Sequence, residues 1–210
     1  MLYSIIAVII SYLLGSIPFA IIITRLVKGV DVRQYGSKNA GATNVCRVAG
    51  LKVALLVGLL DLAKGFVAVF YIARVFPDIG PLTVLQLQII CAVAVVIGHM
   101  LTIFAGFKGG KGVLAAAGAF LALLPLEVGI AFGIFIIIVI ITRFVSLGSI
   151  SAAAFISVAV LVEKFLLDKN IAMEKIILCV IITIVVIIAH KSNIKRLLNG
   201  TENKVGKKKS

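Results

Sequence analysis

The 210-residue chain is 62% hydrophobic and sets 21 Lys and Arg against 8 Asp and Glu, a formal charge of +13. A soluble domain averages roughly 45–50% apolar residues, so the composition excludes an ordinary soluble protein and describes an integral membrane one. Continuous apolar runs of about 20 residues favour spanning helices over barrel strands, which alternate over about 10 residues.

Seven spans are predicted, at 2–24, 49–73, 83–105, 112–124, 126–142, 147–166 and 172–190. No basic residue precedes Leu2, whereas Arg25, Lys28 and Arg33 follow the first run. A signal peptide has the opposite order, so this run is expected to be a retained span with its N-terminus outside. The fourth and fifth spans part at Leu124-Pro125, where proline suits a turn better than a helix interior. Seven spans place 25–48, 106–111, 143–146 and 191–210 inside. With Lys52 these hold 16 Lys and Arg, against four outside: Arg74, Lys164, Lys169 and Lys175, which lie among Asp78, Glu127, Glu163, Asp168 and Glu174. Short cytoplasmic loops carry the basic excess, and merging 112–142 into one span would put the basic tail outside.

The expected fold is therefore an all-α polytopic membrane protein with seven transmembrane helices, N-terminus outside and C-terminus cytoplasmic. Residues 1–198 read as a single transmembrane domain and 199–210 as a basic, disordered cytoplasmic tail. The charge reflects topology and attraction to anionic lipid, with no need for nucleic acid. Cys46, Cys91 and Cys179 are odd in number and unclustered, which suits packing rather than a disulfide or metal framework.

Three inner segments are more polar than a connector requires. The first, "DVRQYGSKNAGATNVCR" at 31–47, offers Ser37, Asn39, Thr43, Asn44 and Arg47 around Gly36 and Gly41. Glycine lets backbone N–H groups approach an anion; the plainer reading is a solvated turn capping the second span. The second, "AGFKGGKGV" at 105–113, joins Lys108, Gly109, Gly110, Lys111 and Gly112 to a helix start, where unpaired N–H groups and the dipole favour anions. It is not a Walker A loop, because valine stands where Ser or Thr would meet magnesium; the alternative is a basic turn with packing glycines. The third, "AHKSNIKRLLNGTENK" at 189–204, carries His190, Asn193, Arg196, Thr201 and Glu202 on an amphipathic pattern, which a surface anchor would also show. On one membrane face, the three together make a polyanion-handling site. Asp61 and Lys64, three apart within the second span, are either a structural ion pair or a substrate-facing cluster. His99 is expected to satisfy a helix–helix hydrogen bond.

"GSKNAGATN", "GHMLTIFAGFKGGKG" and "HKSNIKRLLNGTE" resemble, in order, the three signature segments of the bacterial acyl-phosphate:glycerol-3-phosphate acyltransferases (PlsY). "GSIP" at 15–18 and "SLGSI" at 146–150 extend the likeness over essentially the whole chain. One departure is His190-Lys191, where the family has histidine-arginine; the charge stays but a bidentate contact is lost. The resemblance implies an enzyme on the cytoplasmic face of the inner membrane. It would move a fatty acyl group from acyl phosphate to the 1-hydroxyl of sn-glycerol 3-phosphate, giving lysophosphatidate and phosphate, the first acylation of phospholipid synthesis. It implies no metal or other cofactor, and as partners fatty acyl phosphate, sn-glycerol 3-phosphate and membrane lipids. Carried over residue by residue, it implies catalytic roles for Ser37, Arg47, Lys111, His190 and Asn193. It implies substrate binding by Asn39, Gly41, Thr43, Asn44, Lys108, Gly109, Gly110, Gly112, Arg196 and Glu202.

Two phosphates a few Å apart repel by several kcal/mol at an effective dielectric of about 20, and Arg47, Lys108 and Lys111 are natural neutralisers. Acyl phosphate is already activated, so positioning, carbonyl polarisation and removal of one proton are what remain. No Asp or Glu of the inner segments completes a triad with Ser37 and His190, so Ser37 is expected to hydrogen-bond rather than attack. The hydroxyl proton can go to His190 or to a substrate phosphate oxygen. An organic-anion transporter would want polar residues at the midplane, and a polybasic anchor would not need Asn39, Asn44, Asn193 and the glycines.

Overall fold

A computed structural model describes residues 2–75 and 82–205. Asp78 of the expected outer loop and Lys207, Lys208 and Lys209 of the expected tail lie outside the described residues. The chain divides into two compact units, Met1–Leu123 and Leu124–Ser210.

In the first unit the leading apolar run is two helices, α1 (Leu2–Ser16) and α2 (Phe19–Lys28). Pro18 has no N–H to donate and disfavours helix at Ile17, so the run breaks there. Gly29, at φ +70°, ends α2 in a left-handed cap. The segment expected as a turn before the second span contains a further helix, α3 (Ala42–Ala49), whose hydrogen bonds begin at Gly41 O. The second apolar run begins at α4 (Leu51–Val67). It continues through a wide turn, Ala68–Ile72, into α5 (Ala73–Val75). Buried Gln88 donates to the Val69 carbonyl at 3.2 Å, tying α6 to this turn. Thr83 and Gln86 cap α6 (Val84–Met100) reciprocally, and α7 (Val113–Leu123) follows the glycine loop.

Helix crossings in this unit rest on glycine. A Cβ on Gly15 would strike the Val95 carbonyl, and one on Gly98 the Tyr12 carbonyl, so α1 and α6 touch backbone to backbone. Gly65 and Gly118 do the same for α4 and α7, against the carbonyls of Ala115 and Leu62. Lipid tails are as apolar as leucine, so close approach by small residues, rather than hydrophobic burial, drives such contacts.

The second unit holds α8 (Pro125–Thr142), α9 (Val145–Phe165), α10 (Met173–Ala189) and α11 (Lys191–Leu198). Leu124-Pro125 forms the expected turn, with proline in the first turn of α8. Helices α9 and α10 are joined by hydroxyls: Ser157 and Thr183 lie 2.8 Å apart, and Thr183 donates to Ala153 O at 2.8 Å. Residues 199–205, expected to begin a disordered tail, are hydrogen-bonded: Glu202 accepts from three side chains and the Val205 N–H donates to Arg143 O at 2.9 Å.

Helices stand at all seven expected places, but not all have the length of a span. Five apolar helical segments are long enough to cross a membrane, six if α10 and α11 count as one span bent by 60°. The 11 residues of α7 extend only about 16 Å at 1.5 Å per residue, half of a hydrocarbon core about 30 Å thick.

The packing glycines give a direct test. Gly118→Leu is expected to destabilise the protein in detergent by about 1–3 kcal/mol through overpacking, read as a lowered midpoint of thermal unfolding. Gly133→Leu, where an added Cβ meets nothing within 4 Å, should leave the midpoint unchanged or slightly raised, since glycine weakens a helix interior.

Candidate active site

The first polar segment of the first unit is organised from within. Asp31 caps a single 3₁₀ turn, Val32–Gln34, by accepting from the Arg33 N–H. Its carboxylate also receives Arg33 Nε at 3.1 Å, Arg33 Nη2 at 2.8 Å and Arg25 Nη2 at 2.9 Å. Arg33 Nη1 reaches 72 residues ahead and donates to Ala105 O at 2.8 Å, stapling this segment to the one before the glycine loop. The Arg33 side-chain hydrogen bonds outweigh the cost of burial and hold the Asp31 carboxyl down at about 2, with the charges of Arg33 and Arg25 helping. Arg33 is correspondingly raised by Asp31.

Asn44, expected to contact substrate, is instead the hub of this loop. Its Oδ1 accepts the Ser37 N–H at 2.8 Å, and its Nδ2 lies 2.8, 3.0 and 3.1 Å from the carbonyls of Val32, Tyr35 and Asn39. A side chain that is 1% exposed and saturated this way has nothing left for a ligand. Gly36, at φ +60°, passes so close to Asn44 Oδ1 that a Cβ would collide. Wrapping the loop round Asn44 leaves Ser37 and Arg47 exposed, with Gly41 and Thr43 half-buried. Asn39 Oδ1 is buried and has no donor among the described residues.

The glycine loop also differs from expectation. Gly109 N–H donates to Met100 O at 3.0 Å and Gly110 N–H to His99 O at 3.1 Å. These two N–H groups close off the end of α6 and are not offered to an anion. Glycine is required at 109 because a side chain would strike the carbonyls of His99 and Met100, and at 110 because it would strike the His99 ring and lie 2.8 Å from Ala40 O. Anion-binding capacity in this loop rests on exposed Lys108, half-buried Lys111 and the N–H groups opening α7 after Gly112.

Beside this loop the first unit has a cavity of about 1140 Å³. Ile17, Pro18, Ile21, Ile22 and Phe104 make an apolar wall, while Arg25, Arg33, Lys38 and Lys108, with Asp31 paired to the two arginines, supply a rim of net positive charge. Arg25, Asp31, Arg33 and Lys38 were not among the expected site residues. Asp31 preceding Arg33 by two is a turn-cap pattern, but nothing in it announces Ala105 as the other partner. A smaller hollow of about 460 Å³ is lined by Lys28, Tyr35, Gly36 and Arg47.

In the second unit His190 sits where α10 ends and α11 begins, 3% exposed. Its Nδ1 is 2.8 Å from Val186 O. A carbonyl only accepts, so Nδ1 carries a hydrogen. Glu202, expected at the substrate, anchors the segment that follows α11. Oε1 accepts from Asn193 Nδ2 at 2.6 Å and Ser146 at 3.1 Å, and Oε2 from Arg196 Nε at 2.7 Å. Burial alone would raise its pKa, but those three hydrogen bonds and the Arg196 charge lower it. Arg196 and Asn193 are thereby held by Glu202, and Ser146 joins the group from 56 residues away.

The family model for glycerol-3-phosphate acyltransferase matches residues 5–200. The chain belongs to the glycerol-3-phosphate acyltransferase family. Curated relatives of that name from Chlorobaculum tepidum and Chlorobaculum parvum are each 39% identical, over 94% and 93% of this chain and 94% of their own. The fold is likewise similar to two crystal structures of PlsY (YgiH), an integral membrane glycerol 3-phosphate acyltransferase. The glycerol 3-phosphate form superposes with a TM-score of 0.85 at 37% identity, over 97% of this chain and 96% of that one. The lysophosphatidic acid form gives 0.82 at 36% identity, over 97% and 95%. As a member of this family the chain is an acyltransferase of the integral-membrane type.

The Asp31 staple makes the protein acid-sensitive. Because its folded pKa lies near 2 against 3.8 ordinarily, its stabilisation is present above about pH 4 and disappears as pH falls through about 2. Asp31→Asn should flatten that part of the stability–pH curve, a loss of about 2 kcal/mol at neutral pH, measured by chemical unfolding between about pH 2 and pH 7.

Proposed function

We propose that the protein transfers a fatty acyl group from acyl phosphate to the 1-hydroxyl of sn-glycerol 3-phosphate, releasing lysophosphatidate and phosphate. The observation that carries this reading is the cavity of the first unit, apolar on one wall and basic at the rim. That lining suits a donor with a long hydrocarbon chain and a phosphorylated head, and the rim is shared with the glycine loop. The family membership supplies the acceptor.

In the proposed reaction the C1 hydroxyl oxygen attacks the acyl carbonyl carbon, the bond from that carbon to the phosphate oxygen breaks, and phosphate departs. The hydroxyl proton passes to a phosphate oxygen of substrate, whose second pKa is about 6. Lys108 and Lys111 offset the charge that would keep two phosphates apart. Arg47 adds to that field, and Ser37 hydrogen-bonds to substrate without forming an acyl-enzyme. In the second unit His190, with Asn193 and Arg196 held by Glu202, orients the glycerol phosphate. We place the seven helical segments across the cytoplasmic membrane, N-terminus outside, with the bilayer thinned at the short α7 and the basic segments on the cytoplasmic face. The lysine and arginine imbalance supports that orientation.

Purified protein given palmitoyl phosphate should release phosphate and form lysophosphatidate in equal amounts when glycerol 3-phosphate is present, and little of either without it. Phosphate release unaffected by the acceptor, or none at all, contradicts the reaction. Lys111→Ala should lower turnover at least about tenfold, since a charge-assisted contact is worth roughly 1.5–3 kcal/mol. His190→Gln keeps a hydrogen-bond donor but cannot take a proton near neutrality. A loss below about a thousandfold in turnover fits the substrate-assisted route, and a larger one at unchanged acceptor affinity makes His190 the base.

A further inference from the structure

Three ionisable side chains lie beneath the glycine loop, and the reaction above uses none of them. Asp61 and Lys64 of α4 are each at most 3% exposed, and His99 of α6 is 8% exposed. Lys64 Nζ is 2.9 Å from Asp61 Oδ1, and His99 Nδ1 is 3.4 Å from the same oxygen. Lys64 also donates to Ile17 O at 3.2 Å and stands over the Phe19 ring. One carboxylate thus joins α4, the end of α6 and the break between α1 and α2.

Burying such a group is expensive, and a well-packed apolar substitute would often be as stable. Stability by itself therefore does not account for the cluster. Its outer end does. The far edge of the imidazole, Nε2, lies where a Gly110 side chain would start, so the ring is the floor on which the loop rests. His99 O holds Gly110 N–H, and Met100 O holds Gly109 N–H. Ala40 O of the first polar segment also lies 2.8 Å from where a Gly110 side chain would start, so the ring and this carbonyl together bound the space at Gly110. A rotation of the ring would push Gly110 away and move Lys108 and Lys111 with it.

We infer that Asp61, Lys64 and His99 are positioning residues: the ion pair of α4 fixes the His99 ring, and the ring sets the height of the Gly109–Lys111 loop. Asp61 Oδ1 faces the ring at Nδ1 from 3.4 Å and so limits how far the ring can turn. Lys64 pairs with Asp61 at 2.9 Å and ties it to the Pro18 break through Ile17 O. The catalytic consequence rests on the reading that this loop handles substrate phosphate, whereas the structural consequence does not.

The test uses the full-length protein in detergent with the variants Asp61→Asn, His99→Ala and His99→Asn. Amide hydrogen exchange in peptide 106–112 should be about tenfold faster or more in Asp61→Asn and His99→Ala, with α1 and α7 exchanging as in the parent. His99→Asn, which retains a donor towards Asp61, should recover part of the protection. Inorganic phosphate should inhibit both disruptive variants about tenfold more weakly, and KM for glycerol 3-phosphate should change more than kcat. Unaltered exchange in 106–112 overturns the inference, as does faster exchange spread evenly over the first unit, the mark of general loosening. If Asp61→Asn does not fold with Lys64 left unpaired, Asp61→Asn with Lys64→Met replaces it under the same criteria. The parent's own inhibition by phosphate reports on the proposed reaction separately. A parent insensitive to phosphate whose loop still loosens in His99→Ala retains the positioning role and loses the phosphate reading.

Discussion

Inside a bilayer no water is at hand to satisfy a backbone carbonyl released from its helix. Pro18 releases carbonyls in the middle of the first apolar run, and much of the first unit is arranged to meet them. Thr102, just past α6, donates its hydroxyl to Ser16 O. Lys64, from α4, donates to Ile17 O. The break is thereby held by the helix that supports the glycine loop and by the ion pair beneath it. A kink that would otherwise be a defect becomes the point to which α4 and α6 are both tied, and its residues Ile17 and Pro18 line the cavity.

Carboxylates are few in this basic chain, and two of them are spent on holding arginine. Asp31 grips Arg25 and Arg33, and Glu202 grips Arg196. In each case the pair is the near end of a longer link: Arg33 goes on to Ala105, and Glu202 goes on to Ser146 and Asn193. The usual worth of an exposed ion pair is small, but these carboxylates are largely buried and accept several hydrogen bonds each, so removing one strands its donors. The arginines neutralise each carboxylate on the spot, so neither adds net negative charge to the basic segments around it.

Glycine serves two separate needs here. On α1, α4, α6 and α7 it removes bulk so that backbones can touch, and the helix ends carrying the loops are brought close. At 109 and 110 it removes bulk so that the loop can fold back on the end of α6. Both N–H groups of those two residues are spent on the end of α6, which leaves the lysines and the start of α7 as the positive groups of the loop.

Much of this was legible in the chain itself. Apolar run length placed a helix at each of seven positions, and Pro125 marked the break between the fourth and fifth, because both follow from local properties: transfer of side chains to lipid and the geometry of one ring. The three polar segments and their kinship to an acyltransferase family were also readable, since their residue types recur in order. What each polar residue does was not. Asn44 and Glu202 have the composition of ligand contacts and turn out to be saturated by the protein. Arg33, unmarked in sequence, joins two segments 72 residues apart. The Asp61–Lys64 spacing named a pair but not His99, which lies on another helix. A hydrogen bond depends on which atoms face each other at about 3 Å, and that is a property of packing between distant segments. Composition determined that this chain lives in a membrane; only tertiary structure decided which polar groups are consumed in building the loops and which are left exposed.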